Sequence, residues 1–155
     1  MPKILKYYKH FVPVKVRFSD LDIVGHLNNG KYQTFLDEAR IAYFQDVVGI
    51  PKSSFNFNMV VSKIAIDFIK PIEYGDDIFV YTRIFNITAR SHEVHQLFVR
   101  REKEKAEIVA TAQTLMAAFD YHTKKPTTFP EEYCARASSF EETGEMPLQF
   151  NKTYA

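Results

Sequence analysis

Two periods divide the chain. Val12, Val14, Val16 and Phe18 alternate with Pro13, Lys15 and Arg17, a period of two that predicts a half-buried strand. From Tyr32 the spacing lengthens. Tyr32, Phe35, Leu36, Ala39, Tyr43 and Val47 recur three or four residues apart, and at about 100° per residue they share one face of a helix. That helix is predicted over Asn29–Val48, where Gly49 and the Ile50-Pro51 pair stop it. The loop KSSFNFN comes next and carries Phe55 and Phe57, placed either to lid a pocket or to pack on the helix end. Period two returns from Met59, with Val60, Ile64, Ile66 and Phe68 set against Lys63, Ala65 and Asp67 until Lys70-Pro71 and the Tyr74-Gly75-Asp76 turn. Three more strands are predicted at Ile78–Thr88, Glu93–Arg101 and Ile108–Phe119, joined by TARSH and by the charged REKEKAE connection. The small Ala and Thr side chains of the last strand leave room for the long helix to lie close. A short helical phrase at Glu131–Ala137 closes the pattern, and the tail beyond it is aperiodic. The result is an α+β fold of about five antiparallel strands and one long helix, with residues 1–140 as a single domain and 141–155 as a polar tail.

Chemistry concentrates where the first strand meets the long helix. FSDLDIVGHLNNGKYQTFLDEAR, from Phe18 to Arg40, brings Asp20, Asp22, His26, Asn28 and Asn29 to the start of that helix, with Gly25 and Gly30 for a tight turn. A helix start offers unpaired N–H groups. Asp22 and His26 fall within reach of them, and a carboxylate beside free amide donors suits acyl transfer. The plainer reading is that these residues only cap a helix. Spacing alone leaves both open.

The segment D-L-D-I-V-G-H-L-N-N-G-K-Y with the following L-D-E-A-R resembles the D-x-D-x-x-G-H-x-N-N-x-x-Y…E-x-A-R signature of hot-dog-fold acyl-CoA thioesterases of the hydroxybenzoyl-CoA thioesterase-like group. The resemblance implies a curved sheet wrapped around the long helix, an acyl-CoA substrate, hydrolysis without a cofactor, and a homodimer or homotetramer. It places Asp22 as the catalytic carboxylate, acting by direct attack or as a base towards water. It also puts the carbonyl-polarising backbone N–H on Asn29. Tyr32 and the turn pair Arg90-Ser91 become substrate-binding residues, the guanidinium suiting a coenzyme A phosphate. In related acyl-carrier thioesterases Asp and His stand four apart, as Asp22 and His26 do, but Val24 occupies the place of their catalytic Asn. His26 is therefore a candidate for a direct role or for holding the turn. Glu38, on the helix flank, is expected in an ion pair or an interface hydrogen bond. Lys63 is a weaker phosphate candidate than Arg90. The rival of another class is a non-catalytic acyl-CoA or acyl-carrier binding module, in which the same turn holds a thioester without cleaving it.

Composition narrows this little further. With 155 residues and 46% hydrophobic content the chain can bury one core. Twenty basic and 19 acidic residues leave a formal charge of +1, so no global field recruits nucleic acid or an anionic membrane. Cys134 is the only cysteine, consistent with a reducing, cytoplasmic setting and, without an adjacent His, with a passive thiol. No run approaches the roughly 18 apolar residues that span a bilayer. His92 and His95 are expected on opposite faces of a strand, and the remaining histidines lack metal-ligand spacing.

Overall fold

The computed structural model describes residues 1–52 and 57–143; Phe55 and residues 144–155 of the predicted tail lie outside the described residues. Six strands appear in chain order as β1 (His10–Val14), β2 (Met59–Phe68), β3 (Asp77–Phe85), β4 (Ser91–Glu102), β5 (Lys105–Asp120) and the two-residue β6 (Lys125–Pro126). The five long ones form a single antiparallel sheet in the order β1-β3-β4-β5-β2, and β6 pairs with β5. Helix α1 (Asn29–Tyr43) lies on one face, which is the hot-dog arrangement. All six residues of its predicted apolar stripe are at most 3% exposed. The helix passes into a π turn over Phe44–Val48 and stops at Gly49, whose φ of 85° lies in the left-handed region that glycine adopts without steric cost.

Two apolar clusters fill the space under α1. Tyr32, Phe35, Leu36 and Ala39 meet Val14, Ile78, Val80 and Phe98 beneath its first half. Tyr43, Val47, Met59, Val94 and Met116 gather beneath its end, sealed by Phe129, Tyr133 and Phe140. Tyr43 and Met59 are therefore core residues, and Phe57 packs beside them. The second helix, α2, spans Glu131–Thr143, longer than the sequence pattern implied. Its last turn is held by Glu141, which accepts from the Tyr43 hydroxyl at 2.6 Å, from Ile84 N–H at 2.9 Å and from Arg83 Nε at 3.2 Å. Burial beside that carboxylate pushes the Tyr43 hydroxyl pKa well above its ordinary value.

The first strand departs from expectation. Pairing ends at Val14, and although Val16 stays buried, Phe18 is 80% exposed in a single 3-10 turn over Phe18–Asp20. Asp20 is the cause. Its carboxylate accepts from Arg17 N–H at 2.8 Å and draws the chain out of the sheet. β3 likewise stops at Phe85, short of the expected Thr88, because Asn86 takes a φ of 48° that no strand continues. Leu5 and Tyr8, around a 3-10 turn over Lys3–Tyr7, cover part of the outer sheet face against Tyr81, Leu97 and Val99. β2 is an edge strand: its inward-facing Ile64 and Ile66 are only half-buried, its pairing to β5 shifts register between Val61 and Lys63, and Phe68 is 48% exposed.

Candidate active site

The Asp22 turn is built by its own hydrogen bonds. Asp22 Oδ1 accepts from Val24 N–H at 3.0 Å and His26 N–H at 3.1 Å, while the Asp22 N–H donates to the His26 carbonyl at 2.7 Å. Gly25, at φ +82°, lets so short a loop close. Asp20 anchors it from below. The Asp20 carboxylate is 1% exposed; burial alone would raise its pKa, but the Arg17 backbone N–H and guanidinium hold it below its usual value. The Asp20 carbonyl then takes the Asn28 N–H at 2.9 Å, which ties the turn to the helix start.

At that start Asn28 is the N-cap. Its Oδ1 accepts from Gly30 N–H at 2.9 Å and its carbonyl from Lys31 N–H at 2.8 Å. The Asn29 N–H has no acceptor among the described residues. Likewise, Asp22 Oδ2 carries no hydrogen bond among them. Asp22, His26, Leu27 and Asn29 form one wall of an open cleft of about 260 Å³ that Tyr32 also lines, and Phe68, Ile69, Lys70 and Pro71 form the other wall. Tyr32 makes the floor: it is 2% exposed and meets Phe68 and Phe98 edge-on at ring-centre distances of 4.9 and 5.1 Å. Burial raises its hydroxyl pKa, so it stays protonated and neutral at pH 7. His26 Nε2 lies 4.0 Å from a Glu73 carboxylate oxygen, too far for a hydrogen bond.

Four of the six expected site residues thus share one cleft. The other two do not. Arg90 sits in the β3–β4 turn and Ser91 opens β4, and the Thr88 hydroxyl accepts from both backbone N–H groups. Ser91 pairs with Ala117 and Phe68 with Ala110, seven residues apart along β5, so about 23 Å separates that turn from the cleft within one chain. Lys63 projects from the outer face beside Leu115, and Glu38 is exposed on α1. Val24 is 69% exposed at the tip of the turn. Burial raises the Cys134 thiol pKa, which disfavours a nucleophilic thiolate. His92 is buried on the inner face against the Tyr133 hydroxyl at 2.7 Å, and the half-buried His95 lies on the outer one.

Sequence reasoning missed the second wall, because nothing in the pattern around Lys70-Pro71 says that it folds back against residues 22–29. It also missed Arg40. The residue is 5% exposed, and its guanidinium pairs with Asp37 and lies 3.5 Å from the Thr114 hydroxyl. Burial lowers its pKa, and Asp37 opposes the shift. Its place in the quoted L-D-E-A-R phrase was the available signal. A larger hollow of about 510 Å³, between Met1, Pro2 and the β4–β5 hairpin, is lined by Glu102, Glu104, Lys105 and Glu107 and includes none of the Asp22 turn.

A curved antiparallel sheet around one helix, with a carboxylate turn at that helix's start, defines the class of hot-dog thioesterase folds. Residues 16–137 match the thioesterase-like superfamily, and the chain belongs to it. It is 26% identical over 113 residues to the long-chain acyl-CoA thioesterase FadM of Escherichia coli, covering 72% of this chain and 84% of that one. A Thermus thermophilus thioesterase, solved with coenzyme A and Zn, superposes with a TM-score of 0.77 at 28% identity, over 88% of this chain and 97% of the other. A 4-hydroxybenzoyl-CoA thioesterase in complex with 4-hydroxybenzoyl-CoA gives 0.72 at 17% identity, over 82% and 96%, and supports the fold alone.

Proposed function

We propose that this protein is an acyl-CoA thioesterase, hydrolysing an acyl or aroyl thioester to the free acid and coenzyme A. The observation that carries the reading is that Asp22, whose Oδ2 carries no hydrogen bond among the described residues, and Asn29, whose helix-start N–H has no acceptor among them, line the same cleft. In this mechanism the Asn29 N–H polarises the thioester carbonyl and receives the charge that develops on its oxygen. One such donor lowers the barrier by about 3 kcal/mol, and the aligned dipoles of α1 add to it. Asp22 supplies the other half, either taking a proton from the attacking water or attacking the carbonyl itself before water releases the acid. In both routes the C–S bond breaks, a C–O bond forms, and the thiolate leaves to take up a proton. His26 holds the turn through its backbone, and Tyr32 forms the floor under the acyl group. No cofactor enters this mechanism.

The reading includes a second copy of the chain. β2 offers an edge that no other strand among the described residues covers, with half-buried Ile64 and Ile66, which favours edge-to-edge pairing. Antiparallel pairing of two β2 strands about a two-fold axis sets the Met59 end of one beside the Phe68 end of the other. The partner subunit's Arg90 then approaches the cleft from which this chain's own Arg90 is remote, and its guanidinium meets the coenzyme phosphates. A homodimer is the smallest assembly that completes the site.

Short, long and aromatic acyl-CoAs, each assayed for release of free thiol with Ellman's reagent, test the proposal. Turnover of one class supports it. Saturable binding of acyl-CoA without thiol release across the panel would assign the fold to a binding module instead. Sedimentation at micromolar concentration tests the dimer, which a monomer would refute.

A further inference from the structure

The loop that carries the second wall of the cleft, residues 69–76, is held from outside by the Val109 carbonyl, which accepts the Ile69 and Lys70 N–H groups at 3.0 and 2.9 Å, and by the side chain of Arg100. Arg100 on β4 donates from Nη1 to the Pro71 carbonyl at 3.1 Å and to Asp76 Oδ2 at 3.0 Å, and from Nη2 to Glu107 Oε2 at 2.9 Å. The other Glu107 oxygen pairs with Lys70, which itself lines the cleft. Asp76 Oδ2 in turn accepts the Glu73 N–H at 2.9 Å. One planar guanidinium therefore ties together the start of the loop, its closing turn and the neighbouring strand. An ammonium of the same charge lacks that fork.

The loop is also the scaffold of the Asp22 turn. Leu27 N–H donates to the Ile72 carbonyl at 2.7 Å, and His26 and Glu73 face each other as an antiparallel bridge. Ile72 is fully buried, so this connection is not free to slide. A continuous set of bonds thus runs from Arg100 through Pro71, Asp76 and Glu73 to His26 and Leu27, and from there through Asn28 to the donor at Asn29. Along this route no side chain of Arg100 reaches the cleft: the residue acts only through what it holds.

We infer that Arg100 is a positioning residue, setting the distance between the two walls of the cleft and the placement of the Asp22–Asn29 turn. The inference rests on the thioesterase reading for its catalytic consequence, but not for the coupling itself, and the two are tested separately. In Arg100→Met, hydrogen–deuterium exchange of peptides spanning residues 20–29 and 69–76 rises at least tenfold, while peptides of α2 keep the parent's protection. Turnover of the best thioester in the panel falls on the order of tenfold to hundredfold, as expected for reacting groups displaced by about 1 Å, with KM changed less than about threefold. Arg100→Lys shows the same pattern with smaller changes, and decides the matter should Arg100→Met fail to fold. Unchanged exchange in residues 20–29 overturns the inference in either variant, whatever the activity. Raised exchange with unchanged kcat overturns its catalytic part. A parent protein inactive on every thioester would instead sink the proposed function and leave the exchange result standing.

Discussion

Replacing Asp22 by asparagine separates the two jobs that the structure gives this side chain. One oxygen, Oδ1, accepts both the Val24 and the His26 N–H, and asparagine retains an oxygen in that place. The turn should persist. What is lost is the difference between a charged and a neutral acceptor for two largely solvated bonds, about 1 kcal/mol in total, or a fall in Tm of about 2–4 °C for a chain of this size. The second oxygen, which has no hydrogen-bond partner among the described residues, becomes an amide nitrogen that accepts no proton and attacks no carbonyl. Loss of a positioned base lowers kcat by on the order of 10²–10⁴, equivalent to about 3–5 kcal/mol of barrier. Asp22→Ala removes the acceptor as well, costs about 2 kcal/mol, and melts a further 2–4 °C below the asparagine variant. Thiol release and thermal melting on the same preparations read both effects. An Asp22→Asn protein that turns over every parent substrate within threefold of the parent rate refutes the catalytic assignment. One that melts as low as Asp22→Ala refutes the account of the turn.

Two further outcomes follow from side chains remote from the cleft. Burial first, and the nearby Arg40 charge second, lower the His92 pKa from 6.5 to about 4. The unfolded chain therefore binds this proton before the folded one does, and the stabilisation present above pH 6.5 is lost as pH falls towards 4. Urea unfolding should show a loss of roughly 2 kcal/mol from this group between pH 7 and pH 5. That slope should vanish in His92→Gln, which still offers the Tyr133 hydroxyl a partner. Glu141→Ala strands the Tyr43 hydroxyl, the Ile84 N–H and the Arg83 guanidinium at once. It should cost about 3 kcal/mol and 6–12 °C in Tm while leaving kcat within twofold, because α2 docks at the opposite end of α1 from Asp22.

Much of this architecture was legible in one dimension because it is made of local rules. The six-residue apolar stripe, the cap at one of the two asparagines set at the helix start, Asn28, and the Gly49 stop depend only on residues close in sequence, and each appears within the stretch where the local pattern put it. The motif from Asp20 to Arg40 carried the fold as well as the candidate chemistry, since so many residue types at fixed spacing define one turn. Alternation misled at Phe18, where a side-chain bond from Asp20 to the Arg17 backbone overrides the pattern and turns the chain out of the sheet. It misled in degree at β2, where Phe68 alternates like a core residue but belongs to an edge strand half open to solvent.

Sequence alone determined that a carboxylate turn precedes a long amphipathic helix, because hydrogen bonds within a few residues and a helical repeat are written in adjacent letters. Only the tertiary structure decided what faces that turn. The Phe68–Pro71 wall, the Arg100 clamp behind it and the distance of Arg90 all depend on strand order and on contacts between segments dozens of residues apart. Such contacts form because several elements must bury their apolar faces together, a condition on the whole chain that no short window of sequence expresses.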